Sequence, residues 1–232
     1  MAIRAITFDL EGTLVDLERY HHEAHLYAAQ QLLGKVVSVE QALLGIPHFI
    51  GGPDEAVAQD FWRIYGTEGM EPDIESFCVL KRQKYEELRN TNPAKLRLGV
   101  REVIQEFKSM GLLLAIGSLT DRESVLRIAS ESGLEELIPP AMYVCREDVL
   151  NLKPAPDVFC ATAERLEVET CNQLVFEDSP RGVTAAISAG SSVIAVPVFH
   201  DDVTLGNLKS AGAGRIYTSW LDVGRDVSKI VE

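Results

Sequence analysis

Short β-branched apolar runs alternate with helical stretches along most of this chain, and few folds accommodate that alternation. Ile3–Phe8 ends at Asp9 and Gly12. Leu112–Ile116 follows Gly111 and ends at Gly117-Ser118. Met142–Cys145, Leu174–Phe176, Val193–Val196 and Ile216–Tyr217 repeat the pattern. Each run has the length and bounding residues of a buried strand. Between them, Val100–Met110, Arg122–Ser132, Pro156–Leu166 and Pro180–Ala189 read as helices. Strand–helix alternation of this kind builds a parallel sheet covered on both faces. The predicted fold class is therefore α/β, a doubly wound and mostly parallel sheet.

One region breaks the rhythm. After the first strand the chain runs on through Asn92 with no clear buried strand. Leu14–Leu33, Val57–Tyr65 and Ile74–Leu88 read as helices, and Gly51-Gly52-Pro53 marks a turn between two of them. Thr91-Asn92-Pro93 reads as a linker back to the αβ region. The expected organisation is an α/β core over residues 1–15 and 96–232, with an inserted all-helical domain over residues 16–95. Trp62, Tyr65, Phe77 and Tyr85 have the spacing of that domain's own core.

Composition narrows the function. The 232 residues carry a net charge of −13. Such a chain lacks the electrostatic footprint for a nucleic-acid backbone or an anionic membrane. No segment reaches the ~18 consecutive apolar residues of a membrane span. The first ten residues lack the n-region and cleavage site of a signal peptide. Cys78, Cys145, Cys160 and Cys171 share no CxxC spacing and read as reduced thiols. The expectation is a cytoplasmic protein, a monomer or weak homodimer, with no nucleic-acid or membrane partner. An anionic substrate would need a few placed cations or a metal.

Four stretches can carry chemistry. Asp9-Leu10-Glu11-Gly12-Thr13 follows the first strand, where open α/β sheets place their ligand crevices. Its two carboxylates could serve as nucleophile or metal ligand and as acid/base. Ser118 and Thr120 follow the second strand, although hydroxyls before a helix usually cap it. Lys153 stands before Pro154-Ala155-Pro156, which constrain the backbone around it, although most lysines are merely solvated. Glu177-Asp178 ends another buried strand, a costly place for two acids unless a cation meets them. With Asp9 they offer the all-oxygen donor set that suits Mg²⁺. Together the stretches supply a nucleophile, a hydroxyl, a cation and a metal-binding pair, the inventory for phosphoryl transfer through an aspartyl-phosphate.

The order and spacing of Phe8-Asp9-Leu10-Glu11-Gly12-Thr13-Leu14, Ile116-Gly117-Ser118, Lys153-Pro154-Ala155-Pro156-Asp157-Val158-Phe159 and Val175-Phe176-Glu177-Asp178-Ser179 resemble the haloacid dehalogenase-like hydrolase superfamily. The branch is that of its helical-cap phosphatases and β-phosphoglucomutase-like enzymes. The match continues through Gly182, Ala185-Ala186 and Ala189-Gly190 to Pro197. The resemblance implies a Rossmann-like core and a helical cap that chooses the substrate, a small phosphorylated metabolite. It implies Mg²⁺ as cofactor. Asp9 would be nucleophile and metal ligand, and Ser118 and Lys153 would bind the transferring phosphoryl group. The backbone carbonyl of Glu11 and the side chain of Asp178 would also ligate the metal, with Glu177 in support. His21 falls where some members place a substrate-binding histidine.

Glu11 departs from the family pattern, which has Asp there. Glu can perform the same proton transfers, but its extra methylene displaces the carboxylate by ~1 Å, and such misplacement can cost ~10²-fold. Dehalogenases and phosphonate-cleaving members usually lack an acid at this position, so phosphate-ester hydrolysis is the reading that Glu11 favours. A sugar-phosphate mutase is the nearer alternative. However, Gly51-Gly52-Pro53-Asp54-Glu55 places acids where mutases tend to grip a second phosphate with Arg. A catalytically weak phosphometabolite-binding protein is the third reading. His21 and His25 share a helix face, but His22-Glu23-Ala24-His25 is one residue short of HExxH and no third ligand is evident, so a zinc site is set aside.

Overall fold

The computed structural model describes residues 2–231. In chain order the elements are β1 (Ala5–Phe8), α1 (Glu18–Leu33), α2 (Val39–Gly45), α3 (Asp54–Tyr65), α4 (Ile74–Thr91) and α5 (Val100–Ser109). They continue with β2 (Leu113–Gly117), α6 (Arg122–Ser132), β3 (Tyr143–Val144), α7 (Asp157–Arg165), β4 (Gln173–Glu177) and α8 (Pro180–Ser188). The last are β5 (Ser192–Ala195), α9 (Asp202–Ser210), β6 (Arg215–Ile216) and α10 (Trp220–Val231). The chain divides into two compact units. One holds the segments up to Asp16 and from Ala94 onward, and the other holds Leu17–Pro93.

The first unit is built on a six-stranded sheet of order β3-β2-β1-β4-β5-β6, parallel throughout. This is the α/β class expected from the alternation. Phe8 pairs in register with Ile116 on β2 and Phe176 on β4. One residue further, Asp9, Gly117 and Glu177 therefore stand side by side at the carboxyl edge of three central strands. Beneath them Phe8, Phe107, Phe176 and Trp220 form a buried aromatic cluster, with Phe8 stacked on Phe176 at 5.5 Å and Phe176 tilted against Trp220 at 5.1 Å. Burying four large rings under one edge gives the loops above it a rigid base.

Helix ends follow local chemistry. Asp121 caps α6 by accepting from the Ser124 N–H, and Gly133 ends it at φ 69°. Ser179 caps α8 through the Gly182 N–H, with Pro180 at the first helical position. Asp201 caps α9 by accepting from the Val203 and Thr204 N–H groups. Helices α2 and α10 lie outside the helical stretches expected from the sequence, and α1 starts four residues later than the expected Leu14.

The second unit packs α1, α3 and α4 around Phe49, Val57, Phe61, Trp62 and Phe77. Phe77 is fully buried and Trp62 nearly so, while Tyr65 packs at the margin. Tyr85 stands apart from that core and stacks on His21 at 4.2 Å. Among the described residues, no helix is long and apolar enough to cross a membrane. All four cysteines are free thiols.

Candidate active site

The first unit brings together the residues that sequence reasoning singled out from four distant stretches. Asp9 leaves β1 with its N–H bound to the Phe176 carbonyl at 2.9 Å. Lys153 Nζ donates to Asp9 Oδ1 at 2.6 Å and to Glu177 Oε1 at 2.7 Å. All three side chains are buried, and Lys153 also lies 4.9 Å from the centre of the Phe159 ring. A ligand oxygen from each of Asp9, Glu177 and Asp178 falls within 4.8 Å of the others.

Glu177 is held through both of its carboxylate oxygens. Its Oε2 accepts from the N–H groups of Asp178 and Ser179 and from the Ser179 hydroxyl, at 2.9 to 3.0 Å. With Lys153 on Oε1, both oxygens are committed. Glu177 can therefore orient Lys153 and the Asp178 loop better than it can serve as a direct metal ligand. Gly182 makes this possible, because a Cβ there would lie 1.8 Å from Glu177 Oε1. Gly12 does the same for Asp178. It takes φ +84°, and a Cβ would lie 2.0 Å from Asp178 Oδ2.

The electrostatics show a site short of positive charge. Burial opposes the charge on Lys153, but the carboxylates of Asp9 and Glu177 outweigh it and hold its pKa above the ordinary value. Burial also pushes Asp9 up to about 7, against the pull of Lys153 and with the help of Glu177. Three carboxylates against one ammonium leave two negative charges when all are ionised. A divalent cation would balance them, and an all-oxygen donor set of this kind fits Mg²⁺.

Ser118 is buried just beyond β2, its N–H on the Val144 carbonyl at 3.0 Å. It is not a helix cap, since Asp121 takes that place. Glu11 is half-buried and accepts from the Thr120 hydroxyl at 2.5 Å. His21 belongs to the other unit, on α1, where Lys81 Nζ donates to its Nδ1 at 2.9 Å. Its neighbours on that helix are also engaged, His22 with Glu18 and His25 with Asp54.

Some supporting residues carried no sequence signal. Arg97 donates to the carbonyls of Gly12, Thr13, Val196 and Pro197, at 2.5 to 3.1 Å. It ties the turn after β1 to the chain leaving β5. Trp220 Nε1 donates to the same Thr13 carbonyl at 2.9 Å. The Thr13 hydroxyl donates to Asp178 Oδ1 at 3.3 Å, and Arg181 donates to the Lys153 carbonyl. Carbonyl acceptors exist at every residue, so no pattern of side chains announces these contacts. Only the position of Arg97 just after the Pro93 linker could have drawn attention to it.

Comparison with known proteins shows the family of the chain. The family model described as haloacid dehalogenase-like hydrolase matches residues 3–190. A phosphorylated carbohydrates phosphatase of Thermotoga maritima is 30% identical over 190 residues, covering 81% of this chain and 82% of that protein. Protein CbbY of Rhodobacter capsulatus is 30% identical over 223 residues, covering 93% of each. A CbbY variant of Rhodobacter sphaeroides, solved in complex with xylulose 1,5-bisphosphate, superposes with a TM-score of 0.70 at 25% identity over 96% of each chain. The chain belongs to the haloacid dehalogenase-like hydrolase family.

Proposed function

We infer that this chain is a Mg²⁺-dependent phosphatase that hydrolyses a small phosphomonoester through a phosphorylated Asp9. The observation that carries this reading is Asp9 at the carboxyl edge of β1, bound to Lys153 at 2.6 Å, with a carboxylate oxygen of Asp178 within 4.8 Å. The relative named as a phosphatase of phosphorylated carbohydrates supports the substrate class. Asp9, Asp178 and the Glu11 carbonyl would hold Mg²⁺, with Glu177 in support. Bound there, the ion would neutralise charge on the phosphoryl oxygens.

The side chains then divide the work. The Asp9 carboxylate attacks phosphorus in line, and the bond from phosphorus to the ester oxygen breaks. Lys153 and the Ser118 hydroxyl hold the phosphoryl oxygens as they move. Glu11 gives its proton to the departing alcohol. It then takes a proton from the water that attacks the phospho-aspartate, which releases inorganic phosphate and restores Asp9. The helical unit would act as the substrate-selecting cap, with His21 facing the substrate. Of its two buried cations among the described residues, Lys81 and Arg89, Lys81 is paired with Asp54 at 2.9 Å. The acids Asp54 and Glu55 would repel a second phosphate, which favours a monophosphate over the bisphosphate a mutase must grip.

The test is phosphate release from a panel of small phosphomonoesters with Mg²⁺, wild type beside Glu11→Asp. Wild type is expected to release phosphate, and the Asp variant to be no faster. A silent wild type that wakes with Glu11→Asp would make Glu11 a brake and replace hydrolysis with binding. Isomerised sugar phosphate without phosphate release would make the chain a mutase.

Gly12 offers a separate check on the metal. Gly12→Ala would drive a methyl group into Asp178 at a backbone angle that side chains resist. The expected result is a ~10- to 100-fold weaker Mg²⁺ dependence of activity, as for other losses of ligand orientation. An unchanged Mg²⁺ titration would remove Asp178 from the ligand set.

A further inference from the structure

We propose that Thr120 is the positioning residue that makes a glutamate workable at position 11. This rests on the reading of Glu11 as the acid/base. The Thr120 hydroxyl donates to Glu11 Oε1 at 2.5 Å. The two residues are 109 positions apart, so the sheet, and no local turn, brings them together.

The backbone of Thr120 is pinned on both sides. Its N–H donates to Ser118 Oγ at 3.2 Å, and its carbonyl accepts from the Arg146 N–H at 3.1 Å. Asp121, the next residue, caps α6. Thr is also stiff at its first side-chain torsion. The hydroxyl is thus a fixed point to which a long side chain can be tied. Glu has more rotamer freedom to lose than Asp when it is ordered. Its carboxylate also reaches ~1 Å further, enough to spoil proton transfer if left free. One hydrogen bond to a pinned hydroxyl addresses both problems. The same residue touches the phosphoryl-binding hydroxyl through its N–H. Thr120 therefore couples the two groups that must be aligned, Ser118 on the phosphoryl oxygens and Glu11 on the leaving oxygen.

Two aryl esters read this out. Phenyl phosphate has a poor leaving group that needs a proton as it departs, whereas the leaving group of p-nitrophenyl phosphate needs little help. Thr120→Val is expected to lower kcat/KM for phenyl phosphate by roughly 10²-fold. For p-nitrophenyl phosphate the loss should be a few-fold, with KM little changed on either ester. Thr120→Ser, which keeps the hydroxyl, should recover most of the loss. In a Glu11→Gln background, Thr120→Val should add nothing further.

Equal losses on both esters, no loss on either, or a Ser variant as poor as Val would show that Thr120 only packs. Additive losses in the Gln background would show that it acts elsewhere. If Glu11→Gln alone matches wild type on both esters, the acid/base reading of Glu11 fails, and Thr120 has nothing to position. Thermal midpoints of every variant separate misfolding from misalignment. Thr120→Ala replaces Val if Val lowers the midpoint.

Discussion

Asp9→Asn is expected to keep the fold and to lose Mg²⁺-dependent phosphate release by at least ~10³-fold, as when a covalent nucleophile is removed from other hydrolases. The two side chains have nearly the same shape, and the amide oxygen can still accept from Lys153. Glu177 remains to balance the ammonium at 2.7 Å. Burial raises Asp9 to about 7, so the carboxylate is an uncomfortable tenant in this pocket and a neutral amide removes that discomfort. The thermal midpoint should therefore hold or rise while turnover collapses. Steady-state phosphate release and a melting curve on one preparation check both halves. Turnover close to wild type would dismiss Asp9 as the nucleophile, and with it the phospho-enzyme.

Lys153→Met acts in the opposite way, on stability as well as activity. It leaves Asp9 and Glu177 buried without their shared cation. Breaking a buried pair by removing one partner typically costs 3–5 kcal/mol, and about that loss is expected here at neutral pH. Activity should vanish with it. The loss must depend on pH, with a sign that follows from Asp9. In the unfolded chain Asp9 titrates near 3.8, and in the folded chain at about 7. Between those values the folded state holds the extra proton, so this group's contribution to stability falls as pH rises. Without Lys153, which pulls that pKa down, the fall becomes steeper. Chemical denaturation at pH 5 and pH 8 should show a much smaller deficit at the lower pH. Equal deficits at both would mean that the lysine stabilises by packing on Phe159 and not by charge.

Legibility in the sequence tracked how local the physics is. The strands showed themselves as apolar runs, most clearly the buried β1, β3 and β4, because a central parallel strand is covered on both faces. Arg122–Ser132 was legible to the residue, since Asp121 and the left-handed Gly133 mark its ends. Helix α10 was missed although Trp220, Val223 and Val227 lie on one buried face. Gly224 interrupts its pattern, and packing on α5 supplies what propensity lacks. The charged members of the site were legible because acids and a lysine at strand ends are costly without a purpose. Their mutual distances were not, since Lys153 and Asp9 lie 144 residues apart. Arg97 was invisible for a different reason, because its partners are peptide carbonyls.

The place where the helical segment leaves and re-enters the α/β unit has a consequence for its history and its engineering. Val15 and Leu96 form an antiparallel bridge, and the Arg97 N–H donates to the Leu14 carbonyl at 2.8 Å. Departure and return are thus stitched together inside the α/β unit itself. The entropy of closing an insertion grows only slowly with its length, and here the ends are already held. Segments of other lengths and sequences could be spliced between Asp16 and Ala94 with little penalty to the turn after β1. Arg97 lies within the α/β unit and should stay with it in any exchange of the helical segment.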